Sequence, residues 1–217
     1  MARYAVIGLG RFGSTLVRSL YQAGHEVLAM DIQPELVQAV RDDCTQAVVV
    51  DARDKTQLKG LGLRDVDWAV VSVGEHLEAS TLACFYLKEM GVRVVARAVS
   101  ADHGKILEVL GVDEVIYPER DMALRLADRL SHPNLLDYVP LGPEYSIMEV
   151  AVPESFIGKS LLELQIRNRY RIQVVAIRDA LTDTLNVIPK GEDVLKDSDV
   201  LVVLGARDDL DRFREVT

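Results

Sequence analysis

The sequence predicts an α/β protein: a doubly wound parallel sheet of six strands, followed by a crossover helix and a small α+β domain. Three observations lead there. Short, continuous apolar runs rich in β-branched residues alternate with segments of helical spacing through the first two thirds of the chain, the pattern of strands buried on both faces of a parallel sheet. A glycine-rich turn joins the first run directly to the first helical segment. Beyond residue 145 the runs alternate apolar with polar instead, as antiparallel strands with one wet face do.

Taken in order, the first six runs are residues 4–7, 27–30, 47–50, 68–71, 94–96 and 115–117. Helical spacing between them is clearest at Leu16, Leu20 and Tyr21, and at Leu82, Phe85, Tyr86 and Met90. Gly24, Gly91 and Gly111 follow three of these segments, where helices commonly end. Six strands joined by five crossovers of helix length build a doubly wound sheet. Residues 118–130 read as one more helix, with Pro118 at its start and Glu119 and Asp121 in its first turn. Residues 131–134 (Ser-His-Pro-Asn) form a turn-rich break, and Pro140 and Pro143 a second. Strands are then expected at 147–152, 174–177, 185–188 and 200–204, with short helices at 161–166 and 208–213.

Composition narrows the function. With 217 residues, 49% apolar and 27% charged, the chain is that of an ordinary globular protein. Its longest apolar run is six residues, 82–87, against roughly 20 for a membrane span. No charged-then-apolar leader opens the chain, so any membrane role is expected to come through a partner. The net charge of −9 hides no basic half: residues 1–138 carry 15 basic and 20 acidic groups, residues 139–217 carry 10 and 14. Nucleic-acid binding is therefore disfavoured. Cys44 and Cys84 have neither CxxC spacing nor nearby histidines and read as two buried free thiols.

The turn Gly8-Leu9-Gly10-Arg11-Phe12-Gly13 makes the sheet Rossmann-like. Gly8 suits a tight turn, Gly10 a close phosphate approach and Gly13 helix–strand packing, and the helix N-terminus offers N–H groups to a pyrophosphate or triphosphate. Asp31 closes the second strand, 18 residues after Gly13, where a carboxylate accepts from a ribose hydroxyl. Ile32 and Gln33 follow it with no basic residue for a 2′-phosphate, which speaks against NADP. Asp51 and Ala52 after strand three, Val73 and Gly74 after strand four, and Arg97 at the end of strand five are further candidate ligand contacts. Each is equally compatible with ordinary loop chemistry.

Catalytic machinery is not evident. The last 79 residues hold no histidine and no recognisable nucleophile–base pair, and His25, His76, His103 and His132 all stand at expected helix or turn boundaries, where solvated or capping roles prevail. The expectation is a nucleotide sensor.

Residues 5–13 (AVIGLGRFG), 24–31 (GHEVLAMD), 79–82 (ASTL) and 117–122 (YPERDM) together resemble the regulatory subunits of bacterial Trk/Ktr potassium uptake systems, with RCK/TrkA N- and C-terminal domains, and are most similar to the KtrA type. The resemblance extends to residues 161–164, 174–177 and 199–205. It implies a nucleotide-binding domain at 1–118, a crossover helix and linker at 119–138, and at 139–217 a domain that dimerises and in some members binds cyclic di-AMP. It implies a cytoplasmic ring of eight copies, four dimers, docked at the inner face of the membrane under a potassium channel subunit. ATP and ADP, or in some members NAD(H), bind the N-terminal domains and change the angle between paired subunits. Arg11 would reach the terminal phosphate held by the neighbouring subunit, and Glu119 would coordinate Mg2+ or another cation between facing phosphates; the plainer readings are a solvated loop side chain and a first-turn glutamate. Arg167, Arg169, Arg171 and Arg178 face an anionic second ligand or merely solvent. The alternatives are a small NAD(H)-dependent oxidoreductase and an NAD(H)-sensing TrkA-type regulator. A Rossmann-type redox repressor lacks the basic module it would need.

Overall fold

The structure is a computed structural model that describes residues 1–74, 76–131, 135–142 and 144–216. The chain divides into two compact units, Met1–Pro118 and Glu119–Thr217. The expected break at 131–134 falls on His132, Pro133 and Asn134, which lie outside the described residues, as does Pro143.

In the first unit β1 (Arg3–Ile7), α1 (Arg11–Gln22), β2 (Glu26–Asp31), α2 (Pro34–Ala39), β3 (Gln46–Val49), α3 (Lys55–Lys59), β4 (Trp68–Val71), α4 (Leu77–Glu89), β5 (Val94–Arg97), α5 (Ala101–Val109) and β6 (Glu114–Ile116) alternate along the chain. All strand pairs are parallel, in the order β3-β2-β1-β4-β5-β6. The order reverses between β1 and β4, which opens a crevice at their carboxyl ends.

The continuous apolar runs are explained by where alternate residues go. Ala5, Ile7, Leu28 and Met30 enter one core with Leu58, Ala83, Leu87 and Leu107, while Val6, Val27 and Ala29 enter another with Val17, Val37 and Val40. Side chains alternate across a strand, so a strand buried on both faces must be apolar at every position. Each large aliphatic group so buried contributes about 1.5–3 kcal/mol. Gly24, Gly91 and Gly111 follow α1, α4 and α5 with φ of +84°, +79° and +77°, as cap residues do. Both cysteines are free and buried, and burial pushes the Cys84 thiol up to about 12. His103 departs from expectation: it is 2% exposed inside α5, where loss of solvent holds its imidazole below the usual histidine range.

The crossover helix α6 (Pro118–Ser131) opens the second part of the chain. There β7 (Leu135–Pro140), β8 (Tyr145–Ala151), α7 (Leu161–Leu164), α8 (Ile166–Tyr170), β9 (Gln173–Asp179), β10 (Thr184–Val187), β11 (Asp199–Ala206) and α9 (Arg207–Arg214) follow, and the sheet is antiparallel in the order β10-β9-β11-β8-β7. The pattern implies four strands here; the fifth, β7, is an edge strand that ends on Pro140, a place where a missing N–H costs no ladder bond. The single helix expected at 161–166 is two short ones, because Gln165 takes a left-handed φ of +47° between them. Phe156, Tyr170 and Phe213 pack ring against ring in this unit's core.

Candidate functional site

The glycine turn lies at the crevice. Gly8 has φ +94°, and a Cβ there would sit 2.8 Å from the carbonyl carbon of Ser72 and 2.9 Å from the Val73 nitrogen, so only glycine lets β1 turn against the end of β4. A Cβ on Gly13 would collide with the carbonyl oxygen of Gly8, which is why the first turn of α1 can lie directly on the strand end. Gly10 is different. It caps α1 with φ −60°, and a Cβ there would meet nothing within 4 Å. The space above Gly10 is open, and α1 leaves its first N–H groups without partners of its own. No acidic residue stands in that first turn to compete for them.

Asp31 braces this turn from β2. Its Oδ2 accepts from the Leu9 amide at 2.6 Å and its Oδ1 from the Gln33 amide at 2.9 Å, while Gly8 N–H donates to the Met30 carbonyl at 2.8 Å. A carboxylate has about four acceptor directions, so these two bonds leave room for a ribose hydroxyl. Ile32 beside it is 51% exposed and supplies an apolar surface at the same edge. Arg11 is exposed at the head of α1 and Phe12 is half-buried behind it.

The other candidates spread outward. Val73 packs against the core under the crevice, and Gly74 lies beneath Arg97, whose guanidinium nitrogen would be 3.1 Å from a Cβ placed there. The structure thus joins Gly74 and Arg97 in one feature at the ends of β4 and β5. Ala52 is buried in the core rather than turned to the crevice. Asp51 is held by Arg53: the side-chain nitrogens reach its carboxylate at 2.8 and 3.0 Å and the Arg53 amide at 2.9 Å, which keeps the acid below its usual range. Glu119 belongs to the second unit, exposed in the first turn of α6. Among the described residues no group of three or more His, Cys, Asp or Glu side chains is placed to hold a metal ion.

One residue beneath the turn has no motif. Ser72, directly after β4, is 4% exposed, and its hydroxyl finds no hydrogen-bond partner among the described residues. A serine between a strand and a glycine reads as loop; only the packing places it beneath the turn. In the second unit, Arg178 pairs with Glu149 at 2.9 Å and Arg169 lies over the Tyr170 ring, so of the candidates Arg167, Arg169, Arg171 and Arg178 at least these two have protein partners.

The arrangement suits a phosphate-bearing nucleotide: an open helix N-terminus, a glycine cradle and a carboxylate at the end of the neighbouring strand. Residues 4–118 match the TrkA-N domain and residues 147–217 the TrkA-C domain. The chain belongs to the TrkA-N/TrkA-C family. This TrkA-family protein is 38% identical over 212 residues to the Ktr system potassium uptake protein A of Bacillus subtilis (strain 168), covering 97% of this chain and 95% of the relative. It is 39% identical over 213 residues to the Ktr system potassium uptake protein C of the same organism, covering 98% and 96%. Both are named as potassium uptake proteins rather than as enzymes. The solved RCK domain of GsuK shares the fold, with a TM-score of 0.66 at 18% identity over 99% of this chain and 47% of that one. This chain therefore spans about half of that solved chain. No described helix is long and apolar enough to cross a membrane.

Proposed function

We propose that this TrkA-family chain is a cytoplasmic, non-catalytic regulatory subunit, peripheral to the membrane, that senses ATP against ADP and gates a potassium uptake partner embedded there. The observation that carries the reading is the open space over Gly10 at the head of α1, with Asp31 bracing the turn from the neighbouring strand. Gly8, Gly10 and Gly13 bring backbone N–H groups to the phosphates, Asp31 takes the ribose and Ile32 flanks the adenosine. Phe12, Asp51, Ala52, Val73, Gly74 and Arg97 complete the rim, Asp51 and Ala52 through the backbone, since one side chain is committed to Arg53 and the other is in the core.

Residues 1–118 form the sensing domain, residues 119–138 the crossover helix and linker, and residues 139–217 the dimerisation domain, with cyclic di-AMP as its candidate second ligand. Copies assemble as dimers and then as an octameric ring. Across the dimer Arg11 reaches the terminal phosphate held by the neighbouring copy, and Glu119 supplies one ligand to a bridging cation such as Mg2+. A ligand shifts a two-state equilibrium only through its differential affinity for the two states. A contact made with the terminal phosphate alone is such a difference, because ADP lacks the group that Arg11 would bond.

A thermal-shift panel with ATP, ADP, NAD, NADH and cyclic di-AMP, each with and without Mg2+, tests the reading. A ligand at 100 times its dissociation constant adds about 2.7 kcal/mol, which is readily seen. ATP and ADP are expected to stabilise the protein with a different response to Mg2+. A protein indifferent to both is not an ATP/ADP sensor, and a response to NAD and NADH alone moves it to the NAD(H)-sensing reading.

A further inference from the structure

We infer that Ser72 is a further ligand-binding residue of the nucleotide pocket, its hydroxyl supplying one hydrogen bond to the phosphate end of the bound nucleotide, directly or through an ordered water. The inference rests on the adenine-nucleotide reading given above.

Ser72 stands at the carboxyl end of β4, where the strand order reverses, and its backbone is fixed there by donation from its N–H to the Ile7 carbonyl at 2.7 Å. Its Oγ lies 3.5 Å from the position a Cβ on Gly13 would occupy, so the hydroxyl faces the first turn of α1. A Cβ on Gly8 would strike the Ser72 carbonyl group itself. The residue is thus the floor of the glycine turn. Asp31 braces that turn from β2, and Ser72 lies beneath it from β4.

A buried hydroxyl with no partner among the described residues is unusual, since the large majority of buried polar side-chain atoms are paired. Leaving one unpaired sacrifices a bond to water without replacing it. The environment offers a reason. Open space lies over Gly10, in the same glycine turn, at the N-terminus of a 12-residue helix with no first-turn acid, where an anion is favoured. A serine has three staggered χ1 wells, so its hydroxyl swings toward an arriving phosphate or its water while the backbone stays in place. Alanine would pack this floor equally well; the hydroxyl has a use only when a polar ligand is present. This role is carried by geometry and by an unmet bond, and no sequence motif announces it.

The test is Ser72→Ala in the full chain, read in two ways. Without ligand, loss of an unpaired hydroxyl is expected to leave the melting temperature unchanged or to raise it. With ADP, titration calorimetry is expected to show affinity about tenfold weaker, the loss of one hydrogen bond to a charged group. A variant whose ADP affinity stays within about twofold of the parent overturns the inference, because one net hydrogen bond is worth more than that. A lower melting temperature without ligand also overturns it, because the hydroxyl would then be bonded within the protein. If the parent protein itself takes up no ADP, the pocket reading fails and Ser72 with it; parent binding matched by the variant removes Ser72 alone.

Discussion

Asp31 accepts a hydrogen bond from the backbone amide of Leu9 at 2.6 Å, across 22 residues of chain. With the second oxygen on the Gln33 amide, one carboxylate ties the end of β2 to the middle of the glycine turn. The residue whose position suggests a ribose acceptor is also a brace for the phosphate cradle, so ligand affinity and loop order depend on the same side chain. Asp31→Ala is expected to weaken ADP binding at least tenfold and to lower stability by about 1–3 kcal/mol, the cost of leaving a braced amide unpaired. Calorimetric titration and urea unfolding of the same variant measure both; unchanged affinity removes the ribose assignment.

Gly10 and Gly13 separate binding from folding. Gly13→Ala puts a methyl group onto the Gly8 carbonyl and must move backbone, costing about 1–3 kcal/mol. Gly10→Ala meets open space at an ordinary φ, so the ligand-free melting temperature is expected to hold while the ADP-induced shift shrinks. Equal ADP shifts for the parent and Gly10→Ala would mean that no phosphate comes close to that face.

Arg11 is exposed, so its substitution should not disturb the fold. Arg11→Ala is expected to narrow the preference between ATP and ADP more than it lowers ADP affinity. Equal losses for both nucleotides, in paired titrations, reject a role specific to the terminal phosphate.

Glu119 offers a single carboxylate, which on its own holds a divalent ion weakly. Glu119→Gln is expected to reduce the extra stabilisation that Mg2+ or Ca2+ gives the ATP form while leaving the metal-free ATP shift in place. A metal response identical to the parent's excludes the site.

His103 makes stability depend on pH. Burial holds its folded-state pKa below the unfolded value of about 6.5, so below that pH the unfolded chain binds more protons than the native one. Its contribution is complete above about pH 6.5 and is lost as the pH falls toward the lower, folded pKa. The Val99 amide donates to Nδ1 at 3.4 Å, which favours the neutral ring. Urea unfolding from pH 8 to pH 5 is expected to show this fall, and His103→Gln to flatten it; an equal slope in the variant assigns the effect elsewhere.

Much of the first unit was legible from the chain because its signals are local. Residues 4–7, 27–30 and 68–71 are continuous apolar runs, and they lie in strands whose alternate side chains enter opposite cores. β7 was not legible: it is a short edge strand, mostly exposed and ending in proline, so it carries neither periodicity nor a continuous run. The division between α7 and α8 was hidden for a related reason, since a left-handed φ at Gln165 leaves no mark in composition.

By itself the sequence determined the doubly wound order of elements, the glycine turn and the position of Asp31, because strand propensity, helix spacing and turn chemistry act over a few neighbouring residues. Tertiary structure alone decided that Asp31 also braces Leu9, that Asp51 is committed to Arg53, that His103 is buried and that the Ser72 hydroxyl, beneath Gly13, has no partner among the described residues. Apart from the Arg53 pairing, a local contact whose rotamers the chain leaves open, these depend on groups distant in sequence being packed to contact, and on which polar atoms that packing leaves bonded.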